Sequence, residues 1–359
     1  MKKISSIFLL LILSGIVNAQ NNVCFTVAAN PHSSTPGLSV FTKFIDVFGV
    51  KIFATPAVSD EKIKHCAAVM AEYLDNNEDG TIDNTLVTNA MVSANATMVM
   101  FGTDGSAAQN TFFNNYNGNW ELQDLYATET LPAGSSQSGG FDATLEEVLH
   151  LITHVGYANS YPTIWGEATG TSIAIAMDTA RGGHFTTIPT PYPSGAWYKY
   201  DDQTCDYSCM ITEYVYWSLT TWLNAQSYTG RCNDISNEWT LCTPAQQQTD
   251  ILMHALITNS TYKLATSLPD GNYCPPTLGI NKNVLSGSTL NIYPNPSNDK
   301  ITVWQKSSNS ISVFNYTGSL IQFIQNPKEE ITLDLNSLQA GLYFIKTGNG
   351  QVKRFILND

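Results

Sequence analysis

Four residues in the middle of the chain have the types and spacing of a metal-ligand set. In the stretch 141–177, Glu147, His150 and His154 occupy positions i, i+3 and i+7, so an α-helix would place one carboxylate and two imidazoles on one face. Glu167 follows at the head of a second helical pattern, and a helical hairpin would bring it opposite the histidines. Three such ligands and an open position for water are what a catalytic zinc ion requires.

The two histidines and the phrase IWGEA around Glu167 resemble the gluzincin metallopeptidases, in which HExxH supplies two histidines and a general base and a later glutamate completes the zinc site. The resemblance implies zinc-dependent hydrolysis of a peptide substrate. Because the motif is altered, two arrangements are open. In the first, His150, His154 and Glu167 bind zinc and Glu147 is the base. In the second, Glu146, His150 and Glu167 bind zinc, Glu147 is again the base, and His154 is an outer or oxyanion group.

We prefer the first arrangement, because zinc favours imidazole over a second carboxylate. Simpler interpretations exist for the same residues. Paired histidines on an amphipathic helix can be ordinary core or boundary residues, and Thr144 with Glu147 has the spacing of a helix capping box. His184 and Glu213 are further candidates near the metal, but each stands alone in its segment.

A second candidate metal site lies in the acidic run 75–84, which follows a predicted helix at 60–74. It resembles the calcium loop of EF-hand and dockerin proteins, with Gly80 at the sharp turn and Leu86 where a bidentate carboxylate is expected. The alternative is an ion-free turn between two helices. The resemblance implies calcium bound by Asp75, Asn77, Asp79, Thr81 (through its carbonyl) and Asp83.

The elements that must position these residues are helices and short buried strands. Helices are predicted at 60–74, with Ile63, Ala67, Met70 and Leu74 as the buried stripe, and at 85–93, 207–225 and 244–257. Strands are predicted at 51–54 and 97–101. Aromatic residues crowd 192–222 and could line a cleft, although such residues more often fill the core.

The beginning of the chain has the pattern of a secretory signal peptide over residues 1–19: Lys2 and Lys3, an apolar run at 7–13, and a small-residue end at Ala19. We find no other apolar run long enough to span a membrane. Residues 20–275 carry 25 acids against 8 bases, whereas residues 276–359 carry 5 against 7. The acidic part excludes nucleic acid as a partner and suits cation binding.

Seven cysteines follow the signal peptide, and secreted proteins retain disulfides. Among the many possible pairings we prefer Cys24–Cys274, Cys205–Cys209 and Cys232–Cys242. Cys66 is then left over, either as a buried thiol or as a competitor of Cys274 for Cys24. The CxxxC spacing at 205–209 is a weak zinc motif without a second cysteine pair, so we favour the disulfide there.

After a linker predicted at 276–288, residues 289–359 alternate short apolar segments with turns, which predicts an all-β sandwich. The YPNP opening at 293–296, the phrase LQAGLYFIK at 338–346 and the ending KRFIL at 353–357 resemble the C-terminal sorting domain of cargo of the Bacteroidetes type IX secretion system. A carbohydrate-binding or Ig-like adhesive module is the alternative. The resemblance implies export through the periplasm and outer membrane, with the secretion machinery as partner.

Together these patterns predict a multi-domain protein: a mainly α (α+β), metallopeptidase-like domain at 20–275 and a small all-β sandwich. Two functions are open for the first domain. One is a zinc-dependent hydrolase, peptidase-like, with calcium as a structural ion. The other is a non-catalytic, calcium-stabilised surface or binding module on a degenerate scaffold of the same type. There is no GxSxG or phosphate-loop motif, which disfavours serine hydrolase and nucleotide chemistry.

Overall fold

The computed structural model of the protein describes residues 24–275, 290–306, 310–316, 319–348 and 351–358. The chain divides into two compact units, Met1–Pro275 and Pro276–Asp359, called here the central unit and the C-terminal unit. The predicted signal peptide at 1–19 and the predicted linker at 276–288 lie outside the described residues.

The central unit is built on one mixed five-stranded sheet. Its strands are β1 (Ala28–Ala29), β2 (Lys43–Val47), β3 (Val50–Ala54), β4 (Thr97–Phe101) and β5 (Leu122–Tyr126). They follow the order β1-β2-β3-β4-β5; the first three are antiparallel, and β4 and β5 run parallel to β3. Strand β5 therefore lies at one edge of the sheet.

Ten α-helices of very different length accompany the sheet in the described part of the central unit. They are α1 (Asp60–Leu74), α2 (Thr85–Ser93), α3 (Ala107–Asn115), α4 (Thr144–Leu151), α5 (Ala158–Ser160), α6 (Ser172–Arg181), α7 (Tyr207–Trp222), α8 (Arg231–Asp234), α9 (Pro244–Gln247) and α10 (Ile251–Ile257). A 3-10 turn occupies Leu38–Val40, and a π-helix, Ile152–Tyr157, continues α4 without a break.

Strand β4 contributes to a hydrophobic core on each side of the sheet. It can do so because successive side chains of a strand point to opposite sides. Met98 and Met100 of β4 join the large core formed with α1, α4 and α7. Val99 and Phe101 of the same strand join a smaller aromatic core that includes Phe112 of α3. The arrangement leaves α4 packed against α1, β5 and α7.

Local sequence signals predicted several elements to the residue. Helices α1 and α2 begin after the caps Ser59 and Asn84, whose side chains accept backbone N–H bonds, and the predicted apolar stripe of α1 is buried. Two helices were predicted to extend further than they do. The helix from Tyr207 ends at Trp222, and the segment predicted as a helix at 244–257 is divided, because the buried Asp250 caps α10 and accepts a bond from the Tyr214 hydroxyl.

The C-terminal unit is all-β, as predicted. Its strands are β6 (Asn291–Tyr293), β7 (Lys300–Trp304), β8 (Ser310–Asn315), β9 (Leu320–Gln325), β10 (Glu330–Asp334), β11 (Gly341–Thr347) and β12 (Val352–Leu357). They form antiparallel sheets of order β10-β7-β6 and β12-β11-β8-β9. Alternate residues of both sheets, such as Val303 and Ile345, meet in one core, which makes the unit a sandwich.

All three preferred disulfides are present: Cys24–Cys274, Cys205–Cys209 and Cys232–Cys242. Cys66 is free and buried on α1. The first bridge ties the start of the described chain to the end of the central unit. Among the described residues, no helix is both long enough and apolar enough to cross a membrane.

Candidate metal centre

Helix α4 carries Glu146, Glu147 and His150. The start of this helix differs from the expectation. The predicted capping box does not form: Ala143 is the N-cap, without a side-chain cap, and the Thr144 hydroxyl is buried without a partner. The carboxylate of Asp142 accepts the Thr144 N–H instead, at 3.3 Å. Glu147 is therefore not used as a cap, and its Oε2 accepts a 2.6 Å bond from the side-chain amide of Gln123 on β5.

Two further local predictions are corrected. His154 lies on the π-helix Ile152–Tyr157, not on a continuation of the α-helix, so the simple i, i+4 geometry of the histidines does not apply. Glu167 lies in the turn segment before α6, which begins only at Ser172 after the cap Thr171. Gly166 explains part of this turn, because a Cβ there would stand 2.2 Å from the carbonyl oxygen of Pro162.

The residues that converge are Glu146, His150 and Glu213. Each offers one ligand atom, and these atoms lie within 4.8 Å of one another; within the described ranges this is the one such group of three His, Cys, Asp or Glu residues. Nε2 of His150 is 3.6 Å from Oε2 of Glu213, and Nδ1 of His150 is 3.5 Å from Oε2 of Glu147. His150 is only 7% exposed, and its Nε2 is buried without a hydrogen-bond partner.

The charges at this point are unbalanced. Burial raises the pKa of Glu146 to about 8, the nearby His150 opposes this, and Glu213 and Glu147 add to it. Burial likewise raises the pKa of Glu213. For His150, burial favours the neutral form, but the charges of Glu213, Glu147 and Glu146 outweigh it and raise its pKa to about 10. Three carboxylates surround one imidazole, so a further cation would be stabilised here.

His154 and Glu167 form a separate pair beside this group. Nδ1 of His154 lies 2.6 Å from Oε2 of Glu167, and this bond, with the charge of Glu167, raises the pKa of His154 against the effect of burial. Glu167 also accepts bonds of 2.8 Å from Ser208 at Oε2 and from Thr212 at Oε1. Both oxygens of Glu167 thus have donors within the protein, whereas the His154 side chain is 55% exposed.

One cavity of about 410 Å³ is lined by members of both groups, although Glu146 is not among its lining residues. Its lining comprises Leu122, Gln123, His150, His154, Glu167, Asp206, Ser208, Cys209, Thr212 and Glu213. A neighbouring cavity of about 350 Å³ shares His154 and Glu167 with the first. His150, His154 and Glu167, which the sequence analysis grouped together, therefore line one cavity. The sequence did not indicate which carboxylates approach His150 most closely.

Glu213 is the residue that sequence reasoning undervalued. It lies on α7 next to Thr212, so the helix that anchors Glu167 also presents Glu213 to His150. No local motif marks it; its one signal is that it is an acid within an apolar, aromatic helix. His184, the other isolated candidate, bonds to Asp178 at 2.8 Å instead. Most aromatics of α7 are core residues, including Tyr214, Tyr216 and Trp217.

The acidic loop 75–83 is held by hydrogen bonds to its own side chains, and one of these bonds comes from outside the loop. Oδ2 of Asp75 accepts bonds from Gly80 N–H at 2.8 Å and the Tyr273 hydroxyl at 2.6 Å. Asp79 accepts the Thr81 N–H, and Asp83 accepts the Asn76 N–H.

Two further features shape the turn of the loop. The side-chain oxygen of Asn77 accepts the Asp79 N–H at 3.1 Å, and Gly80 has the positive φ, 87°, that the sharp turn requires. Leu86 is 60% exposed on α2. Calcium binding by this loop stays a prediction.

The comparison with protein families concerns the C-terminal unit. Residues 291–358 match the family described as the secretion system C-terminal sorting domain. This unit is a type IX sorting domain. It engages the type IX secretion machinery, and the protein is exported to the cell surface or the extracellular space. The predicted localisation is confirmed, and the adhesive-module alternative for this unit is wrong.

No curated protein matches the chain. One similar solved structure is that of PorZ, described as an essential bacterial surface component of the type-IX secretion system of Porphyromonas gingivalis. It is 19% identical, covers 21% of this chain and 13% of that chain, and has a TM-score of 0.19. A likeness of this size carries no argument about fold or function.

Proposed function

We propose that the central unit is a secreted metal-dependent hydrolase with peptidase-like chemistry, in which Glu146, His150 and Glu213 hold a divalent cation, most simply zinc. The observation that carries this proposal is the approach of two carboxylates and one imidazole to within 4.8 Å, with Nε2 of His150 buried and unpartnered. One nitrogen and two oxygen ligands suit zinc and leave a position for water.

This set combines parts of the two arrangements expected from the sequence. Glu146 and His150 belong to the second arrangement, and Glu213 replaces Glu167 as the third ligand. The hydrogen bonds that Glu167 already accepts from His154, Ser208 and Thr212 favour this choice. A ligand oxygen with donors in place must lose them before it can face a cation.

The reaction needs a base, and we assign this role to Glu147. A bound zinc ion supplies polarisation of the scissile carbonyl and a lowered pKa for its water. Glu147 adjoins the ligand Glu146, and Gln123 fixes its Oε2 atom. It would take the proton of the attacking water and return it to the leaving amine. His154, oriented by Glu167 at the cavity wall, can donate a hydrogen bond to the developing oxyanion.

The experiment combines metal analysis with hydrolysis of a mixed peptide library by the purified full chain. Glu147→Gln should keep the metal and lower hydrolysis by about 10²- to 10⁴-fold, because a general base contributes that much. His150→Ala should lose both metal and activity. Glu61→Gln, an exposed change on α1, is the control and should alter neither.

Three results would count against the proposal. Full metal retention by His150→Ala would remove the site. Hydrolysis by Glu147→Gln at the wild-type rate would remove the mechanism, and a metal-free protein without hydrolysis would favour the non-catalytic binding module.

A further inference from the structure

Two neighbouring cavities share His154 and Glu167 in their linings, and we call them the larger and the smaller end of the site. The larger end also holds His150, Glu213 and Asp206. The smaller end holds Glu121, which precedes β5. Two neighbouring cavities beside one reacting centre fit an extended chain better than a compact ligand.

Each end has a carboxylate that the fold leaves available. Asp206 uses only Oδ1, which caps α7 by accepting the Cys209 N–H at 2.9 Å. The side chain of Glu121 forms no ion pair among the described residues, and neither does that of Asp206. Both residues are exposed. Neither carboxylate approaches the group formed by Glu146, His150 and Glu213 closely enough to be one of its ligands.

Positive charge is scarce around these carboxylates. No lysine or arginine lines either cavity in the described part of the chain. The two imidazoles at hand already face carboxylates: His150 lies beside Glu147 and Glu213, and His154 is paired with Glu167. Asp202 adds negative charge on the Asp206 side, since its carboxylate acts on Glu213. A divalent cation would offset Glu146 and Glu213 only, which leaves Glu147, Asp206 and Glu121 in excess.

From this charge pattern we propose that the substrate is a basic peptide, with lysine or arginine side chains on both sides of the bond that is hydrolysed. One cationic side chain pairs with Asp206 and another with Glu121, while the backbone between them passes His154. This inference rests on the proposed function and deepens it, because it assigns the substrate class. An acidic peptide would meet uncompensated carboxylates at both ends and would be repelled.

The test measures the binding of two fluorescent peptides to the zinc-loaded full chain by anisotropy. One peptide is alanine-rich with two lysines, and in the other both lysines are glutamine. We expect the lysine peptide to bind about two- to fivefold tighter for each carboxylate engaged, the range of an exposed ion pair. The preference should shrink when salt is raised from roughly 0.1 M to roughly 1 M, because the Debye length falls from about 10 Å to about 3 Å.

The variants separate charge from fold. Asp206→Asn retains a good N-cap for α7, and it should remove about half of the preference on a logarithmic scale. Glu121→Gln should remove the other half. Asp46→Asn is the matched control: Asp46 lies on β2, three strands from β5, and its bond to Gly49 N–H survives the change. It should leave the preference unchanged.

Equal binding of the two peptides, binding of neither, or an unchanged preference in both Asp206→Asn and Glu121→Gln would overturn the inference. The same peptides are also tested with metal-free protein and for cleavage. A lysine preference without zinc uptake or cleavage would keep this inference and remove the proposed function. Zinc uptake and cleavage of both peptides at equal rates would do the reverse.

Discussion

Nε2 of His150 on α4 lies 3.6 Å from Oε2 of Glu213 on α7, and the imidazole nitrogen has no hydrogen-bond partner. This contact joins the two helices that build the cavity. A buried polar atom without a partner costs free energy, and so does a buried carboxylate near two others. A cation between these groups would remove both costs, which is why the contact decides the proposed ligand set.

The first prediction distinguishes Glu213 from Glu167 as the third ligand. Glu213→Gln should lower zinc content of the purified protein to a small fraction of one equivalent. Glu167→Gln should retain zinc, because Glu167 is expected to hold His154 and not the metal. Both substitutions keep side-chain size, and each is followed by metal analysis and by a melting curve to verify folding. The opposite pattern, with zinc lost only in Glu167→Gln, would restore the arrangement His150, His154 and Glu167.

The difference between these two glutamates also marks what sequence can predict. Caps and apolar stripes are local, so the bounds of α1 and α2 could be predicted to the residue from the sequence. The approach of α7 to α4 is tertiary, and nothing within a few residues of Glu213 encodes it. The turn at Gly166 was missed for a related reason: the close contact with the Pro162 carbonyl leaves no trace in a helical pattern.

The C-terminal unit was easier to predict, since most of its strands alternate more and less buried residues over a length set by their turns. The observed strands, such as β8 and β11, are short and separated by turns, as that pattern predicts. The disulfides could also be predicted from the sequence, because cysteines of exported proteins tend to pair. For two of the three bridges, the short spacing of the cysteines also limits the possible partners. The charge state around His150 could not be predicted from the sequence, because it depends on burial and on carboxylates from two helices.

A second prediction concerns calcium in the loop 75–83. Removing free calcium with a calcium-selective chelator should lower the melting temperature by about 5–10 °C if the site was saturated at about 100 times its dissociation constant. Asp79→Ala should abolish this response, because it removes a predicted ligand and the acceptor of the Thr81 N–H. Asp104→Ala, in an exposed turn outside the loop, is the control and should still respond. No shift in the wild type would leave the ion-free turn.

A third prediction follows from Glu72, which is buried on α1 and accepts a 3.0 Å bond from Gly271 N–H while its Oε1 has no partner. Burial raises its pKa from 4.5 to about 7, with Asp270 and Glu78 adding to the effect. The native state therefore holds a proton that the unfolded chain releases between pH 4.5 and about 7. Over that window the free energy of unfolding should fall as the pH rises, and it should stay low above it.

Glu72→Gln should remove this dependence and stabilise the protein by up to about 3 kcal/mol at about pH 8, since each pKa unit corresponds to about 1.4 kcal/mol. The amide oxygen of glutamine can still accept the Gly271 N–H. Urea unfolding from about pH 4 to about pH 8 gives the two stability curves, and their difference isolates Glu72 from other titrating groups. Glu61→Gln, exposed in the first turn of the same helix, should leave the curve unchanged. Parallel curves for wild type and Glu72→Gln would contradict the assignment.

The last prediction concerns the sorting domain, which matches the family over residues 291–358. Deleting residues 276–359 should leave the central unit folded, because that unit has its own core and all three disulfides, but it should accumulate in the periplasm of a host with a type IX system.

A pair of point variants tests whether the folded sandwich is what the machinery recognises. Phe355 and Ile356 are neighbours on β12, but Phe355 is fully buried and Ile356 is 45% exposed. Phe355→Ala should cost about 3–5 kcal/mol and reduce export, as expected for a truncated core aromatic. Ile356→Ala truncates a half-exposed side chain outside the core and should be exported normally. Immunoblots of periplasm, cell surface and medium report the distribution, and normal export of the 276–359 deletion would show that the signal lies elsewhere in the chain.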